Sequence, residues 1–336
     1  MNAYRLRLVR LAPLKGQPFL LLVPLLLLVL PSPGYASTDA LNITVSTTLT
    51  EDHAGEIIIA ADDITLDCAG HTISGTFSGP GVSLEGRTGV TIQNCAITRF
   101  LSGIRLRAST DIMIISNVMT QNTDGIGVFL SHENTIMNNL ASDNGIAFYL
   151  SGSERNRLTS NLSGGDGIGY FLDSSNHNIV NRNEARFDTN GYKLVSSNGN
   201  LLADNKAENN NTNYLLQFSD ANTLGENTAS GPFAGDGFHI FASHNNILNE
   251  NTARDNMFSG YRLIGSNGNK IAGNIADNNK DGFSIEANSS SNEVILNLIS
   301  ANDHGIHICK SIFKQNDTIP NSFSGPQQAI AIDKTC

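Results

Sequence analysis

The feature that most constrains this chain is a repeat. A glycine followed by a large apolar residue recurs about every 22 residues, a period at which solenoids must be considered before anything else. The column runs Gly81, Gly103, Gly125, Gly145, Gly167, Gly191, Gly237, Gly260, Gly282 and Gly305, with Asn213 filling the one double gap. Gly and Asn adopt positive φ most readily, so the column reads as a turn. Inside each period Asn recurs at intervals of five: Asn156, Asn161, Asp166; Asn200, Asn205, Asn210; Asn246, Asn251, Asn256; Asn292, Asn297, Asn302. Short stretches of period-two alternation separate these positions, and no run has helical periodicity.

Three short strands per period of about 22 residues give an all-β fold, a single-stranded right-handed parallel β-helix of about 11–12 coils. A leucine-rich repeat would need Leu-x-x-Leu-x-Leu and a helix-capable half, and neither is present. Stacked coils place like residues one strand spacing apart, ~4.8 Å. Asn156, Asn161, Asn200, Asn205, Asn246, Asn251, Asn292 and Asn297 are therefore expected to form amide ladders from coil to coil, a structural role.

Composition agrees. Charged residues are 15% and hydrophobic ones 40%, the balance being made up by 31 Gly and 41 Asn. A disordered chain would carry more charge, and a helical bundle would avoid Asn and Gly. Arg5, Arg7, Arg10 and Lys15, the apolar stretch Phe19 to Leu30 and the break at Pro31 to Gly34 read as a secretory signal over residues 1–36. Its apolar core is shorter than the ~20 residues a span requires, so no stable membrane span is expected after cleavage. Removal leaves 17 Lys+Arg against 31 Asp+Glu, a charge of −14 that argues against nucleic-acid binding. The protein is expected to be secreted or periplasmic, and monomeric.

Four cysteines in an oxidising compartment allow three pairings. The repeat favours Cys68–Cys95, which fall at like places in successive coils, and Cys309–Cys336. Residues 37–55 and 311–336 are expected to cap the β-helix of residues 56–310.

These asparagine-ladder coils, with the opening Ile64-Thr65-Leu66-Asp67-Cys68-Ala69-Gly70-His71-Thr72-Ile73-Ser74-Gly75, resemble the right-handed parallel β-helix repeat proteins of the NosD-like and pectate-lyase-like superfamily. The resemblance covers about residues 57 to 309. It implies one of several activities: polysaccharide lyase, glycoside hydrolase, epimerase, or a periplasmic accessory role in copper-enzyme maturation.

On the strand after each glycine, positions one and three should point inward and positions two and four outward. Position four then carries Phe129, Tyr149, Phe171 and Phe241, and position two carries Arg105, Lys193, His239 and Arg262. Phe129, Tyr149 and Phe171 lie beside Gly127, Ala147 and Gly169 and should make a flat shelf of consecutive rings. Aromatic planes accept pyranose C–H faces, and cations accept carboxylates. These eight residues are the expected ligand-binding set, and an extended acidic polysaccharide or cell-surface glycan is the expected partner. The alternative is a face that packs under a loop, or rings that only stabilise the sheet.

Asn122-Thr123-Asp124-Gly125 resembles one signature of polygalacturonase-type hydrolases, in which the Asp is catalytic. The next coil has Asp143-Asn144 instead of paired acids, and no Gly-His-Gly or Arg-Ile-Lys occurs. Asp124 and Asp166 are the catalytic candidates, at ~9.6 Å if two coils apart, although turn formation explains both. No dense Asp–His–Arg constellation is visible, so a lyase or epimerase reading, though preferred to a hydrolase, lacks a base. The acids are scattered, which leaves calcium unsupported. His304 and His307, the only local histidine cluster, are the candidates for copper, although metal ligands usually come in threes or fours. No cofactor is expected, with calcium and copper left open. A non-catalytic surface solenoid is the remaining alternative.

Overall fold

The computed structural model describes residues 40–336 apart from Ala234, Ala287, Pro326 and Gln327. The signal-like segment lies outside the described residues. The chain winds into a parallel β-helix whose three sheets hold 14, 12 and 13 strands. One coil illustrates the rest: Ser102–Arg107 in the first sheet (sheet 1), Met113–Ile115 in the second and Val118–Thr120 in the third. About thirteen coils exceed the eleven or twelve read from the repeat. The terminal segments lack the glycine motif yet supply strands such as Leu41–Ile43 and Gln328–Asp333, both paired into sheet 1. Among the described residues no helix is long and apolar enough to cross a membrane.

The amide ladders set this geometry. Asn161 is 2% exposed. Its N–H donates to Asn183 Oδ1 at 2.9 Å, and its Nδ2 donates to Ile136 O at 2.9 Å and to Asn183 Oδ1 at 3.0 Å. Its own Oδ1 accepts the backbone N–H and Nδ2 of Asn139. From Asn117 to Asn302 the residue before each rung is left-handed whatever its type, as at Ser160 (φ 55), Arg182 (φ 57), Glu250 (φ 56) and Leu296 (φ 58). That conformation costs an ordinary residue ~1–2 kcal/mol. Several fully satisfied buried hydrogen bonds per rung, each worth ~1 kcal/mol net, offset the cost.

The glycine column therefore plays a different part from the turn read in the sequence. Gly103 and Gly125 lie inside sheet 1 strands without positive φ. At Gly103 a side chain is excluded because a Cβ would sit 2.6 Å from the carbonyl oxygen of Gly125.

Inside the cylinder, Phe148, Tyr170, Tyr192, Tyr214, Phe238, Tyr261 and Phe283 form one continuous stack, with centroids 4.6 to 4.9 Å apart. That separation is the strand spacing itself. Cys68–Cys95 and Cys309–Cys336 are both disulfides, with Cα atoms 4.7 and 5.2 Å apart. Cys95 heads the second ladder, its N–H donating to Asn117 Oδ1 at 2.9 Å.

Candidate ligand-binding face

The outward face of sheet 1 is where the sequence places its unusual side chains. Register pairing gives one column: Arg105, Gly127, Tyr149, Phe171, Lys193, Leu215, His239, Arg262, Ser284, His307. Tyr149 and Phe171 thus stand in the column of the cations, and Phe129 stands one column over with Arg107 and Ser151. The expected alignment fails because Gly125 pairs with Ala147, not with Gly145. The third ladder fixes this, since Asn122, Asn144, Asp166 and Asp188 each precede the column position by three residues.

The rings still meet. A Cβ on Gly127 would lie 2.6 Å from the Phe129 ring, so that ring folds back over the glycine. It meets Tyr149 edge-on at 5.5 Å and 88°. Tyr149 and Phe171 stack at 5.1 Å and 7°, and Lys193 Nζ lies 5.2 Å from the Phe171 centroid. The planes of Tyr149 and Phe171 are turned to each other and to Lys193. They present edges outward, not the flat faces expected from the sequence, and aromatic edges are electropositive. The Tyr149 hydroxyl lies 3.5 Å from Asp173 Oδ2, and burial pushes its pKa up. Arg105 and Lys193 bracket this cluster four coils apart, ~19 Å. Among the described residues neither forms an ion pair.

The other end of the face is ionic, and it supplies the constellation that the sequence did not reveal. His239 Nδ1 is 3.4 Å from Asp236 Oδ2, and Arg262 reaches the same carboxylate at 3.5 Å. Arg262 Nε also holds Glu286 Oε1 at 2.7 Å. Burial lowers the His239 pKa, against the pull of Asp236, and its Nε2 is buried without a hydrogen-bond partner. Asp281 receives His304 at 2.8 Å and approaches His307 at 3.8 Å. His307 also faces Asp333 at 3.8 Å. A pocket of about 530 Å³ opens here, lined by Phe258, Arg262, Asp281, Glu286, His307 and Asp333 among others. Phe241 packs on Phe218 at 5.8 Å, beside His239. The sequence contained one signal for the cluster, the i, i+3 pairs Asp236/His239 and His304/His307, which cross one strand end.

Asp124 and Asp166 stand at different register positions, since Asp124 pairs with Ile146 and Ile146 with Ile168. Asp124 begins a sheet 1 strand, and burial raises its pKa to about 6. Asp166 is a rung of the third ladder, 3% exposed, accepting the N–H and Nδ2 of Asn144 at 2.6 and 3.0 Å. Its pKa is raised to about 6 and that of Asp188, the next rung, to about 7, in both cases chiefly by burial. His304 and His307 share Asp281, and among the described residues no three His, Cys, Asp or Glu side chains are arranged to hold a metal ion.

No curated protein sequence matches the chain significantly. Solved structures do. The periplasmic alginate epimerase AlgG is 14% identical over 83% of this chain and 77% of that one, with a TM-score of 0.64. The A-module of the Azotobacter vinelandii mannuronan C-5 epimerase AlgE4 is 13% identical over 83% and 91%, with a TM-score of 0.63. Identities this low establish a shared fold. A family profile described as "Periplasmic copper-binding protein (NosD)" matches residues 41–184 and 164–335, nearly all of the described chain. This chain belongs to the NosD family.

Proposed function

We propose that the protein is exported to the periplasm and binds an extended acidic polysaccharide along the outward face of sheet 1. The observation that carries this is the ring cluster Phe129, Tyr149 and Phe171 bracketed by two unpaired cations, Arg105 and Lys193. On a protein of net charge −10, a strip of electropositive ring edges and free cations is a local inversion suited to carboxylates. The face runs along the cylinder, so each coil meets a linear polymer at ~4.8 Å intervals. The likeness to two alginate epimerases supports a polyuronate as the polymer. The disulfides and the family's periplasmic description support the address.

His239 and Arg262 give the site a chemical capacity. His239, oriented by Asp236 beside the Arg262 guanidinium, would serve as the base in proton transfer next to a carboxylate once ligand binding uncovers its buried Nε2. Binding is tested by titrating the protein with polyuronate and with an uncharged glucan of equal length. Selective polyuronate binding that disappears in Tyr149→Ala/Phe171→Ala, with the fold retained, is the expected result; equal binding of the glucan contradicts it. Proton transfer is tested in D2O, where deuterium should enter the carbon next to the carboxylate with the wild type but not with His239→Gln.

The family description, which names copper, supports a second reading as a protein of periplasmic copper handling, and for it we propose an accessory role in copper-enzyme maturation through protein contacts. Among the described residues no three His, Cys, Asp or Glu side chains are arranged to hold a metal ion. All four cysteines are in disulfides, and His304 and His307 turn to carboxylates.

A further inference from the structure

At the ionic end of the sheet 1 face, the Arg262–Glu286 pair stands in the wall of the pocket. Arg262 is held in two unlike ways. Asp236 is 4% exposed, accepts the N–H of Ser259 at 3.0 Å and lies 3.5 Å from Arg262 Nη1, so it is a fixed counter-ion. Glu286 grips Nε at 2.7 Å from a coil further on, and both side chains are about one-third exposed at the pocket wall. The Nε edge is part of the fork that a guanidinium offers to a carboxylate. In this protein it is already taken.

We propose that Glu286 is a resident carboxylate occupying the place of a uronate carboxylate on Arg262, so that a ligand binds there only by displacing it. This deepens the polysaccharide reading and rests on it. Exchange of one carboxylate for another leaves the number of ion pairs unchanged, and an exposed pair is worth little by itself. A free monosaccharide uronate therefore gains almost nothing at Arg262. A chain already anchored on Tyr149, Phe171 and Lys193 is different, because it delivers its next carboxylates at high effective concentration. Lys193 and Arg262 lie three coils apart, ~14 Å. Glu286 thus makes the face selective for polymers over monomers, through competition instead of added attraction.

The test is Glu286→Gln. This change keeps the shape, leaves Asp236 to orient Arg262, and removes the competing charge. Long polyuronate and its monomer are titrated against wild type, Glu286→Gln, Arg262→Ala/Glu286→Gln and Tyr149→Ala/Phe171→Ala, with circular dichroism to verify the fold. The expected result is ~5–10-fold tighter polymer binding by Glu286→Gln, a few-fold discrimination being within reach of one competing charge. Monomer binding should become detectable, and both gains should vanish in the double variant lacking Arg262. Unchanged or weaker binding by Glu286→Gln, while wild type binds polymer through its rings, overturns this proposal alone. Absence of polymer binding by both wild type and Glu286→Gln overturns the polysaccharide reading and this proposal together.

Discussion

The two ends of the sheet 1 face share one scaffold and differ in almost everything built on it. From Arg105 to Lys193 the side chains are rings and free cations; from Asp236 to Asp333 they are imidazoles, carboxylates and a guanidinium that satisfy one another. Among the described residues the cations of the first end have no carboxylate partner, whereas the second end has largely neutralised itself. The interior differs as well. In the coils of Phe171 and Lys193 the third ladder carries Asp166 and Asp188, whereas at the ionic end it carries Asn256, Asn279 and Asn302. Such a coil-by-coil division is open to a solenoid, because each coil answers mainly to its neighbours. A globular core would spread the consequences of either choice.

The difference can be broken at either end. The largest effect is expected from Tyr149→Ala/Phe171→Ala, which should weaken polyuronate binding ~100-fold by calorimetry, at ~1–1.5 kcal/mol per stacked ring plus lost area. A comparable double change at the other end, His239→Gln/His307→Gln, should leave affinity within about two-fold and alter only turnover, if anchoring resides in the rings. An intermediate effect is expected from Lys193→Ala, a loss of ~5–10-fold that shrinks as salt is raised, because a half-buried cation without an ion-pair partner among the described residues still acts through attraction that salt screens.

The ladders offer a contrast in stability. Asn205→Ala would leave the N–H and Nδ2 of Asn183 without their acceptor and should cost ~2–4 kcal/mol in denaturant unfolding. Asp166→Asn/Asp188→Asn should do the reverse. Their native pKa values, about 6 and about 7, lie above the ordinary 3.8. The folded state therefore binds more protons than the unfolded state between about pH 4 and 7, and stability falls as pH rises through that window. The double Asn variant should melt higher than wild type at pH 8 and alike at pH 4. A higher melting temperature for wild type at pH 8 would show that the two acids are ionised at no cost. This is the smallest of the expected effects.

Much of the architecture was legible because a β-helix writes its period into every coil. The ladder spacing gave the fold, and Cys68 and Cys95 gave a coil-to-coil bridge. The alignment at Gly145 and Gly167 slipped by two residues, since a Gly-Ile pair stands just after each ladder rung as well as near the column. Faces survived the slip, because two residues is one full period of a strand. Tyr149 and Phe171 were therefore correctly turned outward but assigned to the wrong column. Counting three residues on from Asn144 and Asp166 would have placed them. The ionic end was less legible. Asp236, Asp281 and His304 stand in one column of sheet 1 and Asp333 in another with Cys309, and only the register shows that these and Glu286 converge on His239, Arg262 and His307. The flat shelf failed for a further reason: rings one strand spacing apart stack on one another and spend their faces doing so.

The most direct measurement is hydroxyl-radical footprinting of the full protein with and without saturating polyuronate, read residue by residue by mass spectrometry. Protection should run in one line along sheet 1, through Phe129, Tyr149, Phe171 and His239, with Met113 and Leu201 on the second sheet unchanged. Protection on the second or third sheet, or none on the rings under saturating ligand, would contradict a polysaccharide-binding face on sheet 1.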